Sequence, residues 1–299
     1  MTTRSRGPLA GFEWLRCSVR LAFDHPKPLF GGAVVVLLAG LAPSLILLPT
    51  EHFMLQADTP PDLTTFGWIM LGSMLIGLLL VPLYAGYLQV IDAAENGQLA
   101  RARDIFKPYL EGDALRLIGY GLMLMLIYTA IFGIILLATK GSFVDWYVQA
   151  MAAQMHHQPP PSLPDGLGTT IALSMAFGVF MMCFYSISLG QVALRRRGVI
   201  NAIGDGCIGA LKNLLPVLIL AIGLVLAWII IAIVIAIAIF LFALLGQLIG
   251  TWLSLALIVA CYLAVMLFMF AIMFGVMYHM WRDVCDDDAT ADTAHAISV

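Results

Sequence analysis

The sequence predicts an all-α, polytopic membrane bundle. Six transmembrane helices form three parallel hairpin repeats, each preceded by an amphipathic helix on the cytoplasmic interface. Three observations carry this. First, the 299 residues are 62% hydrophobic and 11% charged, whereas soluble domains carry about 25% charged residues. Second, six apolar stretches are each long enough to cross ~30 Å of hydrocarbon as a helix. Third, lysine and arginine gather at one end of those stretches.

The first stretch, Leu29 to Leu48, follows a charged amphipathic segment and exceeds the ~7–15 residues of a signal h-region, so it reads as a retained helix. The next three run from Phe66 to Ile91, Leu117 to Ala138 and Gly168 to Leu194. The last two, Leu214 to Leu245 and Gly250 to Met280, are longer than a bilayer needs and should tilt or project. "LGQLIGT" links them, with Gly246 and Gly250 marking a tight turn. The run "IIIAIVIAIAIF" would suggest a strand in water, but helix satisfies its backbone within one segment in lipid. Between the third and fourth stretches, "QPPPSLPDG" predicts an irregular exposed loop. Asp145, Trp146 and Tyr147 before it begin a short helix or sit at the lipid interface.

Charge orients the helices. Arg4, Arg6, Arg16, Arg20 and Lys27 precede the first; Arg101, Arg103, Lys107 and Arg116 lie between the second and third. Arg195, Arg196, Arg197 and Lys212 lie between the fourth and fifth, and Arg282 follows the sixth. Only Lys140 falls on the other side, so 14 of 15 basic residues share one face. The positive-inside rule makes that face cytoplasmic, with both termini inside. Arg101, Arg103, Lys107, Arg195, Arg196, Arg197 and Lys212 therefore read as membrane-surface and topology determinants. In that role they act through charge, and lysine should replace the arginine triplet.

A repeat lies beneath this pattern. Apolar or small residues fall at offsets 0, 3, 7, 10 and 11, one stripe of an α-helix. They do so at Phe12, Leu15, Val19, Ala22 and Phe23; at Leu99, Ala102, Phe106, Tyr109 and Leu110; and at Ile200, Ile203, Cys207, Ala210 and Leu211. A membrane helix follows each set, which delimits units of about 9–91, 97–194 and 198–282. All enter from the same side, so the repeat is parallel. Residues 1–285 form one membrane domain, and 286–299, with Asp286, Asp287 and Asp288, a flexible acidic tail.

The segments "FEWLRCSVRLAFDHPKPLF", "VPLYAGYLQVIDAAENGQLARARDIFKPY", "ALRRRGVINAIGDGCIGALKNLLP" and "YHMWRDV" hold Pro82 and Gly86, Asn213 and Pro216, and the Trp281-Arg282-Asp283 ending. In them the chain resembles an uncharacterised family of six-helix bacterial inner-membrane proteins. That family is similar in pattern to the membrane domains accompanying some glycerophosphodiester phosphodiesterases. The likeness covers most of residues 11–285. It implies the six-helix fold and an inner-membrane location but no catalytic role, because the family has no established activity.

Chemistry is sparse. No Asp, Glu, Lys or Arg sits in the middle of any of the six helices, which disfavours proton- or sodium-coupled transport. Tyr84 and Gln89 in the second helix and Ser186, Ser188 and Gln191 in the fourth form a possible intramembrane polar site, set against simple helix-to-helix hydrogen bonding. A metal at His156 and His157 would need further ligands, for which Asp145 and Asp165 are the candidates, against the commoner solvated pair, and no P-loop, HExxH or GxSxG motif occurs. No metal or cofactor is expected. The five cysteines avoid the outside loops, so structural disulfides are not expected. A net charge of −3 without a basic patch argues against nucleic acid.

The leading expectation is a non-enzymatic inner-membrane protein serving as an accessory, scaffold or envelope-homeostasis factor and engaging anionic lipid. A homo-oligomer or protein partner stays open. One alternative is a permease or lipid-handling carrier with a site between repeats, lined by helices two and four. The other is a membrane-embedded enzyme using an interfacial acid or base such as Asp92, Glu95 or His279. A closed bundle would favour the scaffold; an apolar cavity opening to lipid would favour the carrier.

Overall fold

A computed structural model describes residues 3–42, 63–139, 142–155 and 158–285. The far end of the first apolar stretch, Pro60 and Pro61, Lys140, His156, His157 and the acidic tail lie outside the described residues. The described residues form helices joined by turns and irregular segments, without strands, and hold five helices long and apolar enough to cross a membrane, or six if a bent pair counts as one.

That pair is α1 (Ala10–Asp24) and α2 (Pro26–Gly40), which meet at 102°. Proline causes the corner. His25 precedes Pro26, takes φ −127° and ψ 57°, and leaves the helical region as pre-proline residues do. Then follow α3 (Leu63–Glu95), a 3-10 turn at Ala102–Phe106, the single turn α4 (Lys107–Leu110), α5 (Ala114–Ala138), α6 (Ser142–Met155), α7 (Leu167–Ala193), α8 (Val199–Lys212), α9 (Leu214–Ile249) and α10 (Thr251–Cys285). The isoleucine-rich run is helical, and α9 reaches about 54 Å over its 36 residues. The expected short helix after the third stretch is α6.

One expectation needs correcting. Residues 99–110 do not form a continuous amphipathic helix like α1 and α8. They form the 3-10 turn followed by α4. Pro108 has no N–H to donate to the Asp104 carbonyl and stands in the first turn of α4, where proline is favoured, so the chain starts a new helical turn there instead of continuing one from Leu99.

Most apolar side chains of α9 face outward, among them Ile222, Trp228, Ile233, Ile237 and Phe240. An apolar surface this extensive is untenable in water and ordinary in hydrocarbon. Burial concentrates instead where α3, α7 and α10 meet, around Tyr87, Phe184, Ile187, Phe274 and Tyr278.

The basic segments assemble at one end of the bundle. There α1 packs on α10, the 3-10 turn on α3, and α8 on α7. Close approach depends on small residues. A Cβ on Gly206 would lie 2.9 Å from both the Phe184 carbonyl oxygen and the Ser188 Cβ, and one on Gly275 3.0 Å from the Ser18 Cβ. A Cβ on Gly86 would collide with the Ile105 carbonyl. The repeated stripes face these contacts only in part, through members such as the fully buried Ala22 and Ala210. Their first and last members are exposed in all three sets: Phe12 (49%) and Phe23 (67%), Leu99 (90%) and Leu110 (84%), Ile200 (79%) and Leu211 (64%).

Candidate functional site

A cleft of about 720 Å³ opens between α5, α7, α9 and α10. From α5 come Tyr128, Ile131, Phe132 and Ile135. From α7 come Ser174, Phe177, Gly178, Met181, Met182, Tyr185 and Ser186. Leu224 and Trp228 of α9 and seven residues of α10 from Met266 to Met277 complete it. Its size falls within the ~300–1,000 Å³ typical of small-molecule sites. Its wall holds no Asp, Glu, Lys, Arg or His. Six methionines line it: Met181, Met182, Met266, Met269, Met273 and Met277. Unbranched thioether chains repack readily around an irregular apolar guest. Gly178 faces open space, with nothing within 4 Å of a Cβ placed there.

Of Tyr84, Gln89, Ser186, Ser188 and Gln191, only Ser186 lines this cleft, beside Ser174 of the same helix. The others do not gather into one site. The Gln89 amide donates to the Ala193 carbonyl at 3.0 Å, tying α3 to α7. Ser188 lies 2.6 Å from the Tyr120 hydroxyl, joining α7 to α5. Tyr84 packs against Phe274. Gln191 is buried near the basic end, its Oε1 without a hydrogen-bond partner. The cleft also lies between helices three to six and not against helix two, as the carrier alternative placed it. Methionine density, 16 in the chain, was the one sequence signal for it. No spacing marks which methionines converge.

The arginine triplet is held by specific partners. Arg195 lies over the Trp281 ring at 6.0 Å. Arg196, at φ 49°, pairs with Glu111 at 2.7 Å and Asp113 at 3.3 Å. Arg197 sets Nε 2.7 Å from Asp205 Oδ2 and a terminal nitrogen 3.4 Å from Oδ1. Arg116 joins the group, donating to the Arg196 and Val192 carbonyls at 2.8 and 3.2 Å and so covering free carbonyls at the end of α7. These contacts bind α5, α7 and α8 together. Trp281 fits because a Cβ on Gly190 would strike its ring.

Residues 3–7 form a strap across the same end. Asn213 accepts from the Arg6 N–H at 2.8 Å and donates to the Arg4 carbonyl at 2.9 Å. Lys212 donates to the Thr3 carbonyl at 2.9 Å. The Arg6 guanidinium lies 2.6 Å from Asp283 Oδ1, and the Trp14 indole donates to Oδ2 at 3.0 Å. The Asn-x-x-Pro and Trp-Arg-Asp motifs are thus structural joints. Arg101, Arg103 and Lys107, by contrast, are exposed on the turn before α5.

Burial pushes the Cys207 thiol up, which suppresses the thiolate. No group of three or more His, Cys, Asp or Glu among the described residues is placed to hold a metal.

No protein-family model, curated protein or solved structure matches the chain.

Proposed function

We propose that the chain is a non-enzymatic, multi-pass protein of the bacterial inner membrane that takes up a lipid-like molecule from the bilayer. The observation that carries this is the apolar cleft. A scaffold held only by packing has no use for an opening of 720 Å³ among four spanning helices, whereas a lipid-handling carrier requires one. The flexible methionine wall suits a guest without fixed shape.

The same reading includes a threefold parallel repeat. Unit one is α1, α2 and α3; unit two is the 3-10 turn with α4, then α5 and α7; unit three is α8, α9 and α10. Support comes from cyclic packing. Each unit's basic-end segment rests on the last helix of the unit before it, and that of unit one rests on unit three. The register recurs as well. Ser18, Ile105 and Gly206 each stand six residues into their stripe, and they meet Gly275, Gly86 and Ser188 in turn. The cleft then lies between units two and three.

The basic end is assigned to the cytoplasm by the positive-inside rule. There the outward stripe residues enter the headgroup boundary, and Arg16, Lys27, Arg101, Arg103 and Lys107, exposed beside them, attract anionic lipid at about 1 kcal/mol each.

The test is retention of lipid by the full chain purified in mild detergent and read by native mass spectrometry. Wild type should carry bound lipid. Gly178→Phe, which fills the cleft, should lose it, while Gly133→Phe, off the cleft on α5, should keep it. Equal retention in both variants would refute a cleft-bound guest.

A further inference from the structure

We infer that the guest is an uncharged lipid with a hydrogen-bond-accepting group, such as an ester carbonyl, received by the hydroxyls of Tyr185 and Tyr128. This rests on the reading of the cleft as a lipid site and names its ligand class. The fully buried tyrosines of the bundle all have partners, whereas half-buried Tyr84, outside the cleft, makes a ring contact with Phe274 and no hydrogen bond among the described residues. Tyr87 donates to the Leu29 carbonyl at 2.9 Å, Tyr278 to Asp92 at 2.9 Å, and Tyr120 bonds Ser188 at 2.6 Å. In the cleft, Ser186 donates to the Met182 carbonyl at 2.7 Å and is satisfied. Tyr185 and Tyr128 line the cleft and make no hydrogen bond among the described residues.

A hydroxyl facing hydrocarbon is costly unless an acceptor reaches it. Two such hydroxyls on facing helices α7 and α5, neither of them bonded to the serine hydroxyls of the same wall, favour a guest that brings its own acceptor. The wall has no ionisable group other than tyrosine. A phosphate or ammonium headgroup would therefore enter without a counter-ion, which a low-dielectric site penalises heavily. The chemistry left is an apolar body with a neutral acceptor, as in a diacylglycerol.

Trp228 lines the cleft and supplies the readout. The full chain in nanodiscs is titrated with three brominated quenchers: a dibromo-diacylglycerol, a bromoalkane of equal chain length, and a dibromo-phosphatidylglycerol. The cleft signal is the quenching lost in Trp228→Phe. The diacylglycerol should bind tightest. Tyr185→Phe and Tyr128→Phe should each weaken it on the order of fivefold, the worth of one net hydrogen bond, and leave bromoalkane affinity unchanged. Equal binding of alkane and diacylglycerol, unchanged diacylglycerol affinity in the double variant, or tighter binding of the phosphatidylglycerol would each overturn this inference and leave the cleft as a lipid site. Trp228-dependent quenching by none of the three would overturn both.

Discussion

Replacing Arg197 separates charge from shape at the basic end. Its Nε lies 2.7 Å from one oxygen of Asp205 and its terminal nitrogen 3.4 Å from the other, with the two side chains 31% and 12% exposed. Hydrogen bonds to charged groups are worth about 1.5–3 kcal/mol each. The Nε–Oδ2 approach is an ion pair without hydrogen-bond alignment, the one hydrogen bond is long and the arginine is in part solvated, so the pair together is worth about 2 kcal/mol after screening. Arg197→Gln should lose most of that. Arg197→Lys keeps the charge but has a single ammonium where the arginine engages both oxygens, and should lose about 1 kcal/mol. The assay is thermal unfolding of the purified protein in one detergent, with wild type above lysine and lysine above glutamine. Asp205→Asn should match the glutamine variant, and combining the two should cost less than the sum of the singles, since both remove one interaction. Lysine equal to wild type with glutamine below it would refute the geometric argument and restore a role through charge alone. All three equal would show that the pair contributes nothing.

Gly86→Ala should destabilise the protein by at least about 1–3 kcal/mol, because the new methyl displaces the Ile105 backbone; the same assay reads it. Asp283→Ala removes the carboxylate that pairs with Arg6 and accepts from Trp14 but keeps the carbonyl to which Arg6 also donates, so hydrogen exchange in residues 3–9 should rise modestly while α7 stays protected. Single cysteines at 158–165 should label from outside intact cells in a cysteine-free background, and those at 195–200 only after permeabilisation; the reverse pattern would invert the proposed orientation.

The spans were legible because hydrocarbon imposes a length and a composition that any sequence must show. Phe66–Ile91 against Leu63–Glu95, and Gly168–Leu194 against Leu167–Ala193, differ by a few residues. Local proline chemistry was legible in part. Pro26 and Pro28 are the only cue to the corner between α1 and α2, whereas the apolar offsets of 99–110 fit a helix and mask the effect of Pro108. The joints at the basic end were not legible. Arg6 and Asp283 are 277 residues apart, and no periodicity links them. The buried face of α8 also escaped notice. It is made of Ala202, Asp205, Gly206, Gly209 and Ala210, small residues that a search for apolar stripes largely passes over. The cleft is an absence of packing among four helices, set by side-chain size and helix tilt together, and neither is written in hydropathy.

The central claim is that the cleft between α5, α7, α9 and α10 holds a lipid-like guest. An experimental map of the full chain in nanodiscs made from native lipid extract tests it most directly. An elongated density should lie along Met181, Met269 and Met273, with one end beside the hydroxyls of Tyr185 and Tyr128. A map in which the methionine side chains close the space and the four helices pack without a gap would contradict the account.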